Sequence, residues 1–229
     1  MSVCWLPCIM HQSVRVPNPK TRCMSRNDNL QGPARQAKIG RLSRNPSMNF
    51  CSQCGKPVTQ RIPEGDARLR FVCDHCSTIH YQNPNIVAGT VPVWGDKVLL
   101  CRRAIEPRLG YWTLPAGFME NGETVEQAAM RETLEEACAR VHNLSLYTLI
   151  DVPHISQVHI FYRAELVDLD YAAGPESLEV KLFDEADIPW SELAFRTVGR
   201  TLECFFADRR QQLFPVRSES VPPMTRPAK

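Results

Sequence analysis

The chain has 229 residues, 43% of them hydrophobic, with a formal charge of +2 and no run of eighteen apolar residues, which excludes a membrane-spanning helix but fits one or two ordinary globular domains. The charge is unevenly shared: residues 1 to 49 carry eight Lys or Arg against one acid, Asp28, and the remainder is −5. That acidity argues against a generally basic nucleic-acid-binding body.

Residues 1–47 hold Arg, Asn, Pro and Ser without sustained periodicity and are expected to be a basic, disordered leader or an upstream extension ahead of Met48. An organelle transit peptide would need an amphipathic helix, which Pro17, Pro19 and Pro33 interrupt. Six of the ten cysteines are scattered, and no secretory pattern accompanies them, so a reducing cytoplasmic compartment is expected.

Residues 48–82 read as a zinc ribbon. Cys51-Ser-Gln-Cys54 and Cys73-Asp-His-Cys76 are separated by eighteen residues, the spacing of a four-thiolate structural Zn²⁺ site. Gly55 suits the knuckle turn and Arg68 to Val72 a short strand. A redox pair or free buried thiols are the competing readings, and His75 or His80 could replace one sulfur. So small a module has little core of its own, which makes a metal the expected source of its stability.

Asn83-Pro84-Asn85 marks the joint to a second domain, residues 83–212. Ile86 to Trp94 and Lys97 to Ala104 are β-branched apolar runs around Gly95-Asp96, a hairpin pattern, and Tyr111 to Leu114 is a further short strand. Arg102 and Arg103 close the second run, where they are expected against phosphate together with Gly117. Gly117 then opens a loop leading into a helix, with Thr124 and Gln127 spaced as a capping box. From there to Val141 no Pro or Gly interrupts the pattern. One turn apart, Glu132 and Glu136 share a face with Glu135 beside them, while Met130, Leu134, Ala137 and Val141 are expected to form the apolar side. Carboxylates without Cys or His suit Mg²⁺ or Mn²⁺. A solvated acidic face is the plainer reading of a Glu-rich helix, but it leaves the loop unexplained.

Residues 117 to 139 closely resemble the Nudix hydrolase signature, G-x5-E-x7-R-E-U-x-E-E-x-G-U. Gly117, Glu123, Arg131, Glu132, Glu135 and Glu136 stand in register. Cys138 occupies the second glycine position, Thr133 and Ala139 the two bulky aliphatic ones, and Ala116 a position more often glycine. The resemblance implies a Nudix-type α/β/α sandwich with a mixed sheet, behind the ribbon. It implies cleavage of a nucleoside diphosphate linked to another group, with Glu132, Glu135 and Glu136 as catalytic metal ligands. It further implies a ligand from the Ala116 carbonyl, another acidic ligand from Glu179, for which an exposed strand position is the alternative, and a homodimer as the family's habit; Arg131 is expected to orient Glu123 through a bidentate pair, with a helix-capping salt bridge as the plainer reading.

Downstream, Leu144 to Val152, Ile155 to Val167 and Leu178 to Phe183 have strand character. A helical turn is expected from Pro189 to Leu193, an amphipathic helix from Thr197 to Arg210, and a loose Pro-rich tail over 213–229. Ribbon plus hydrolase resembles both the NADH pyrophosphatases and a group including plant plastid FAD and ADP-ribose pyrophosphatases. Where the NADH group has S-Q-P-W-P-F-P-x-S, this chain has His154 to Tyr162 without that array. The expected substrate is therefore ADP-ribose or FAD, releasing AMP. NADH or a damaged nucleotide is the alternative within enzymes, and a nucleotide-sensing regulator that binds nucleic acid is the alternative outside them. His154 and His159 are expected to be structural or substrate-lining rather than metal ligands.

Overall fold

The computed structural model describes residues 48–223, and the expected leader lies outside the described residues. In the ribbon, β1 (Val58–Arg61), β2 (Arg70–Cys73) and β3 (Ile79–His80) form an antiparallel sheet in that order. Its buried apolar side chains are Cys51, Val72 and Cys73, so the cysteine cluster itself occupies the interior.

The second domain is built on β4 (Asn85–Trp94) and β5 (Lys97–Arg103), joined as a hairpin at Gly95, whose φ of +58° favours glycine. The two strands pair with each other only near the turn, at Val93–Val98 and Trp94–Lys97. Beyond it they splay, and two short strands occupy the gap: β6 (Trp112–Thr113) pairs with β5 and β7 (Ala116–Phe118) with β4. Gly89 lets this wedge approach, because a Cβ there would run into Ala116 and the Pro115 carbonyl. The sheet continues through β8 (Val141–Val152), β9 (Gln157–Leu166), β10 (Ser177–Phe183) and β11 (Arg217–Ser220), in the order β10-β5-β4-β9-β8-β11. Parallel pairs β4–β9 and β8–β11 among antiparallel ones make it mixed.

Helix α1 (Val125–Ala137) covers one face, where Ala128, Ala129 and Ala137 pack with Ala88, Leu99 and Cys101. Helix α2 (Arg196–Gln211) covers the other through Val198, Leu202, Phe205 and Phe206 against Val91, Leu100 and Phe161. The α/β/α sandwich expected from the sequence is therefore present. The expected turn at residues 189 to 193 is a single 3-10 turn, Trp190–Glu192.

Three details depart from expectation. Helix α1 stops at Ala137 instead of running to Val141: Cys138 takes a left-handed φ of 48°, and the backbone N–H groups of Ala172 and Gly174 donate to the Ala137 and Glu136 carbonyls. Only half of the apolar side expected for α1 is buried, namely Ala137 and, past the end of the helix, Val141. Met130 and Leu134 are 40% and 52% exposed, and the helix buries Ala128, Ala129, Thr133, Glu136 and Ala137, whose small side chains bring it close to the sheet. Thr133 replaces aliphatic packing with a hydrogen bond, 2.7 Å from the Thr90 hydroxyl. Finally, part of the tail is ordered as β11, with Arg200 paired to Glu219 at 2.6 Å and Arg217 to Asp208.

Candidate active site

The site lies where β7, the following loop and α1 meet. The capping box forms as the sequence implies: the Gln127 N–H donates to the Thr124 hydroxyl at 3.2 Å, and the Thr124 N–H donates to the Gln127 side chain at 2.8 Å. This fixes the first turn and sets the phase of every later carboxylate. Two turns on, Arg131 gathers the acids. Its Nε donates to Glu123 Oε2 at 3.1 Å, Nη2 to Glu123 Oε1 at 2.8 Å and to the Phe118 carbonyl at 3.1 Å, and Nη1 to Glu132 at 2.7 Å and Glu135 at 3.0 Å. A planar fork suits this many acceptors, as a lysine ammonium would not.

Glu132 lies against the Cα of Gly117, in space that any side chain at position 117 would need. Glu136 is 6% exposed and accepts a hydrogen bond from the Ala116 N–H at 3.2 Å. Burial raises the pKa of Glu136 to about 8; the Ala116 N–H and Arg103 oppose the rise, and the neighbouring charges of Glu132 and Glu176 add to it. Burial likewise raises Glu132, against Arg131, with Glu135 and Glu176 contributing. The Arg131 hydrogen bonds hold Glu123 below its ordinary range.

The sequence pointed to Glu179 as the extra acid, but the structure turns it away. A bulge between Ser177 and Glu179 shifts the phase of β10. Val180 and Leu182 then face α1, and Glu179 pairs with Arg102 at 3.8 Å on the opposite side. The acid that acts on Glu132 and Glu136 is Glu176, which the sequence reading missed. It follows Gly174, where the loop crosses the end of α1 so tightly that a Cβ would overlap the Glu135 carbonyl. Paired glycine and acid, Gly174 and Glu176, were the available signal.

Arg102 and Arg103 diverge in the same way. Arg103 is buried, donates to the Pro107 carbonyl at 2.9 Å, lies 5.1 Å from the Phe195 ring centre, and acts electrostatically on Glu136. Arg102 donates to the Gly110 carbonyl at 2.9 Å. A cleft of about 430 Å³ adjoins the loop, lined in part by Asn85, Ile86, Phe118 and Asn121, and the Phe118 ring is 54% exposed beside it.

The acid cluster fits a hard divalent cation on its chemistry: only oxygen donors are present, and burial together with the neighbouring carboxylates disfavours ionisation of Glu132 and Glu136. Their oxygens are less converged than the cysteines, because Arg131 holds Glu132 while Glu136 turns to Ala116. In the ribbon the sulfur atoms of Cys51, Cys54, Cys73 and Cys76 all lie within 4.8 Å of one another, the donor set of a tetrahedral zinc centre.

The fold and these two clusters define a zinc-ribbon α/β/α domain with an acidic loop-helix site. A family model described as Nudix N-terminal matches residues 49–82, and one described as NUDIX domain matches residues 84–201. The chain belongs to the Nudix family. It is 35% identical over 143 residues to the NAD-capped RNA hydrolase NudC of Edwardsiella ictaluri (strain 93-146), covering 62% of this chain and 51% of that protein. It is 32% identical over 146 residues to NudC of Salmonella paratyphi C (strain RKS4594), covering 62% and 54%. The chain thus spans about half the length of these curated relatives. A solved NUDIX hydrolase from Nitrosomonas europaea superposes with a TM-score of 0.74 at 52% identity, over 76% of this chain and 99% of that one. Among the described residues no helix is long and apolar enough to cross a membrane.

Proposed function

We propose that this protein is a divalent-metal-dependent pyrophosphohydrolase that cleaves the diphosphate of a nucleoside diphosphate linked to another group. The observation that carries the reading is a pair of acids held one turn apart, half-buried Glu132 and buried Glu136, beside Glu176 with Arg131 and Arg103 as the offsetting charges. So costly an arrangement is expected where a cation completes it. Glu132, Glu136 and Glu176 would hold Mg²⁺ or Mn²⁺, with Glu135 at the exposed edge. Such an ion, when bound, neutralises phosphate charge and acidifies a bound water.

The remaining roles belong to the chain itself. Arg131 orients Glu132 through two-sided pairing with Glu123 and Glu132, and Gly117 keeps the loop backbone against the carboxylate. Arg103 supplies positive charge at the buried end of the cluster. The exposed Phe118 ring, next to Gly117 and bordering the cleft, offers a flat apolar surface to a base carried by the substrate.

Two substrate readings follow from different observations. The stretch His154 to Tyr162, which lacks the NADH-group array, supports ADP-ribose or FAD. The names of the curated relatives support an NAD-linked diphosphate, free or at an RNA end, and carry more weight because they rest on 35% and 32% identity over 143 and 146 residues. A panel of NADH, ADP-ribose, FAD and NAD-capped RNA, assayed for AMP or 5′-monophosphate RNA with each metal, separates them. Glu132→Gln is expected to lower turnover on the preferred substrate by about 10²-fold or more. Near-parental turnover would remove Glu132 from the site, and no hydrolysis of any panel member would reject the enzymatic reading.

A further inference from the structure

We propose that His80 is the outer-sphere support of the ribbon's metal centre, donating its Nε2–H to the Cys51 thiolate and thereby slowing release of the metal. His80 Nε2 lies 3.3 Å from Cys51 Sγ, across 29 residues of sequence, and the ring is 9% exposed.

The need for such a donor follows from burial. A metal-bound thiolate carries negative charge that water or an N–H group must meet. Cys76 is exposed and its sulfur lies 3.1 Å from the Thr78 hydroxyl, whereas Cys51 is shut away from solvent. Two N–H groups reach the Cys51 sulfur among the described residues: the Gln53 backbone at 3.4 Å, from the same knuckle, and His80. The Gln53 contact comes with the turn itself. The His80 contact is an addition, brought across by the pairing of β3 with β2 at Phe71–His80.

His80 is a donor to the centre rather than one of its ligands. The four sulfur atoms form a complete tetrahedral set, and the imidazole is not a member of that mutually close group. A thiolate only accepts, so the bond requires a proton on Nε2. Its position gives the bond reach, because His80 ends the last ribbon strand and Asn85, which opens β4, is five residues on. The contact therefore ties the metal to the segment leading into the hydrolase domain.

The test uses the full chain loaded with Zn²⁺, following transfer of the ion to a chromogenic chelator. His80→Leu fills the ring's space without an N–H and is expected to release zinc about tenfold faster or more, in line with loss of an outer-sphere partner. His80→Gln retains an N–H and is expected to behave more like the parent than like His80→Leu. Parental release from His80→Leu would overturn the proposal, as would equal loss in both variants, which would mean that ring shape matters and the donor does not. Cobalt substitution of the parent should give a four-thiolate spectrum that His80→Leu leaves unchanged; loss of a nitrogen ligand on mutation would make His80 a direct ligand and also overturn it. Nitrogen NMR of the parent ring gives a readout independent of either variant's folding: a proton on Nε2 supports the bond, and one confined to Nδ1 refutes it.

Discussion

The Glu132 carboxylate occupies the space that a side chain on Gly117 would fill. Strand β7 and helix α1 are thus fitted closely to each other, and the first glycine of the box is explained by contact rather than by backbone conformation. Gly117→Ala must push the carboxylate or the loop aside. We expect turnover to fall by about 10²-fold, the usual cost of misplacing a reacting group by an ångström. The Tm should move little, because what must give way is the end of the flexible Glu132 side chain rather than backbone. Paired kinetic and calorimetric measurements check this, and unaltered turnover would show that the contact does not position Glu132 for the reaction.

Arg131 makes five hydrogen bonds, four to carboxylates and one to the Phe118 carbonyl. Arg131→Lys keeps the charge but can satisfy only part of that set. We expect turnover at least about tenfold lower with the fold retained, because the loss is of orientation. Arg131→Ala also leaves Glu132 enclosed without its counter-charge, which should cost about 2 kcal/mol of stability after allowance for partial solvent access. Chemical denaturation separates the two variants; equal stability would mean that the network is worth no more than a surface ion pair.

The contrast between Glu176 and Glu179 shows where the sequence was legible and where it was not. Local chemistry could be read directly: the capping box at Thr124 and Gln127, the hairpin at Gly95, and each of the pairs Cys51–Cys54 and Cys73–Cys76 depend on residues at short, fixed offsets. Strand phase could not, because one bulge in β10 moves Glu179 to the far side of the sheet. The buried face of α1 was misjudged for a related reason. Hydrophobicity favours Met130 and Leu134, but close packing on β4 selects Ala128, Ala129 and Thr133, and carries Glu136 into the interior with them. The strand β11 had no local signal, since its place depends on Arg200 meeting Glu219 across the fold.

Burial of Glu136 links cation binding to pH. Its folded pKa of about 8 stands above the ordinary 4.5, so between these values the folded state keeps a proton that the unfolded state has lost. In metal-free protein this contribution to stability is fully present below about pH 4.5 and is lost as pH rises to about 8. A cation binds the ionised carboxylate and competes with the proton. Mg²⁺ should therefore raise Tm more at pH 8.5 than at pH 5, and Glu136→Gln should abolish most of that difference. A Tm gain that is independent of pH in the parent would mean that Glu136 is not among the groups the cation displaces from their protons.

His159 gives an opposite slope in a region away from the acids. On β9 it lies between the Thr197 hydroxyl at 3.0 Å and the Gln157 side chain at 2.9 Å, and burial lowers its pKa from 6.5 to about 4. Between those values the unfolded state binds a proton that the folded state refuses, so stability is present above about pH 6.5 and is lost as pH falls towards 4. The shift corresponds to about 3 kcal/mol over that range. His159→Gln can keep a polar contact with Thr197 and cannot titrate, so its denaturation midpoint should change less than the parent's between pH 6.5 and 4. Since Glu136 contributes in the other direction across part of the same range, the comparison is best made in a Glu136→Gln background. An identical slope with and without His159 would place the acid sensitivity elsewhere and leave the imidazole with a purely packing role.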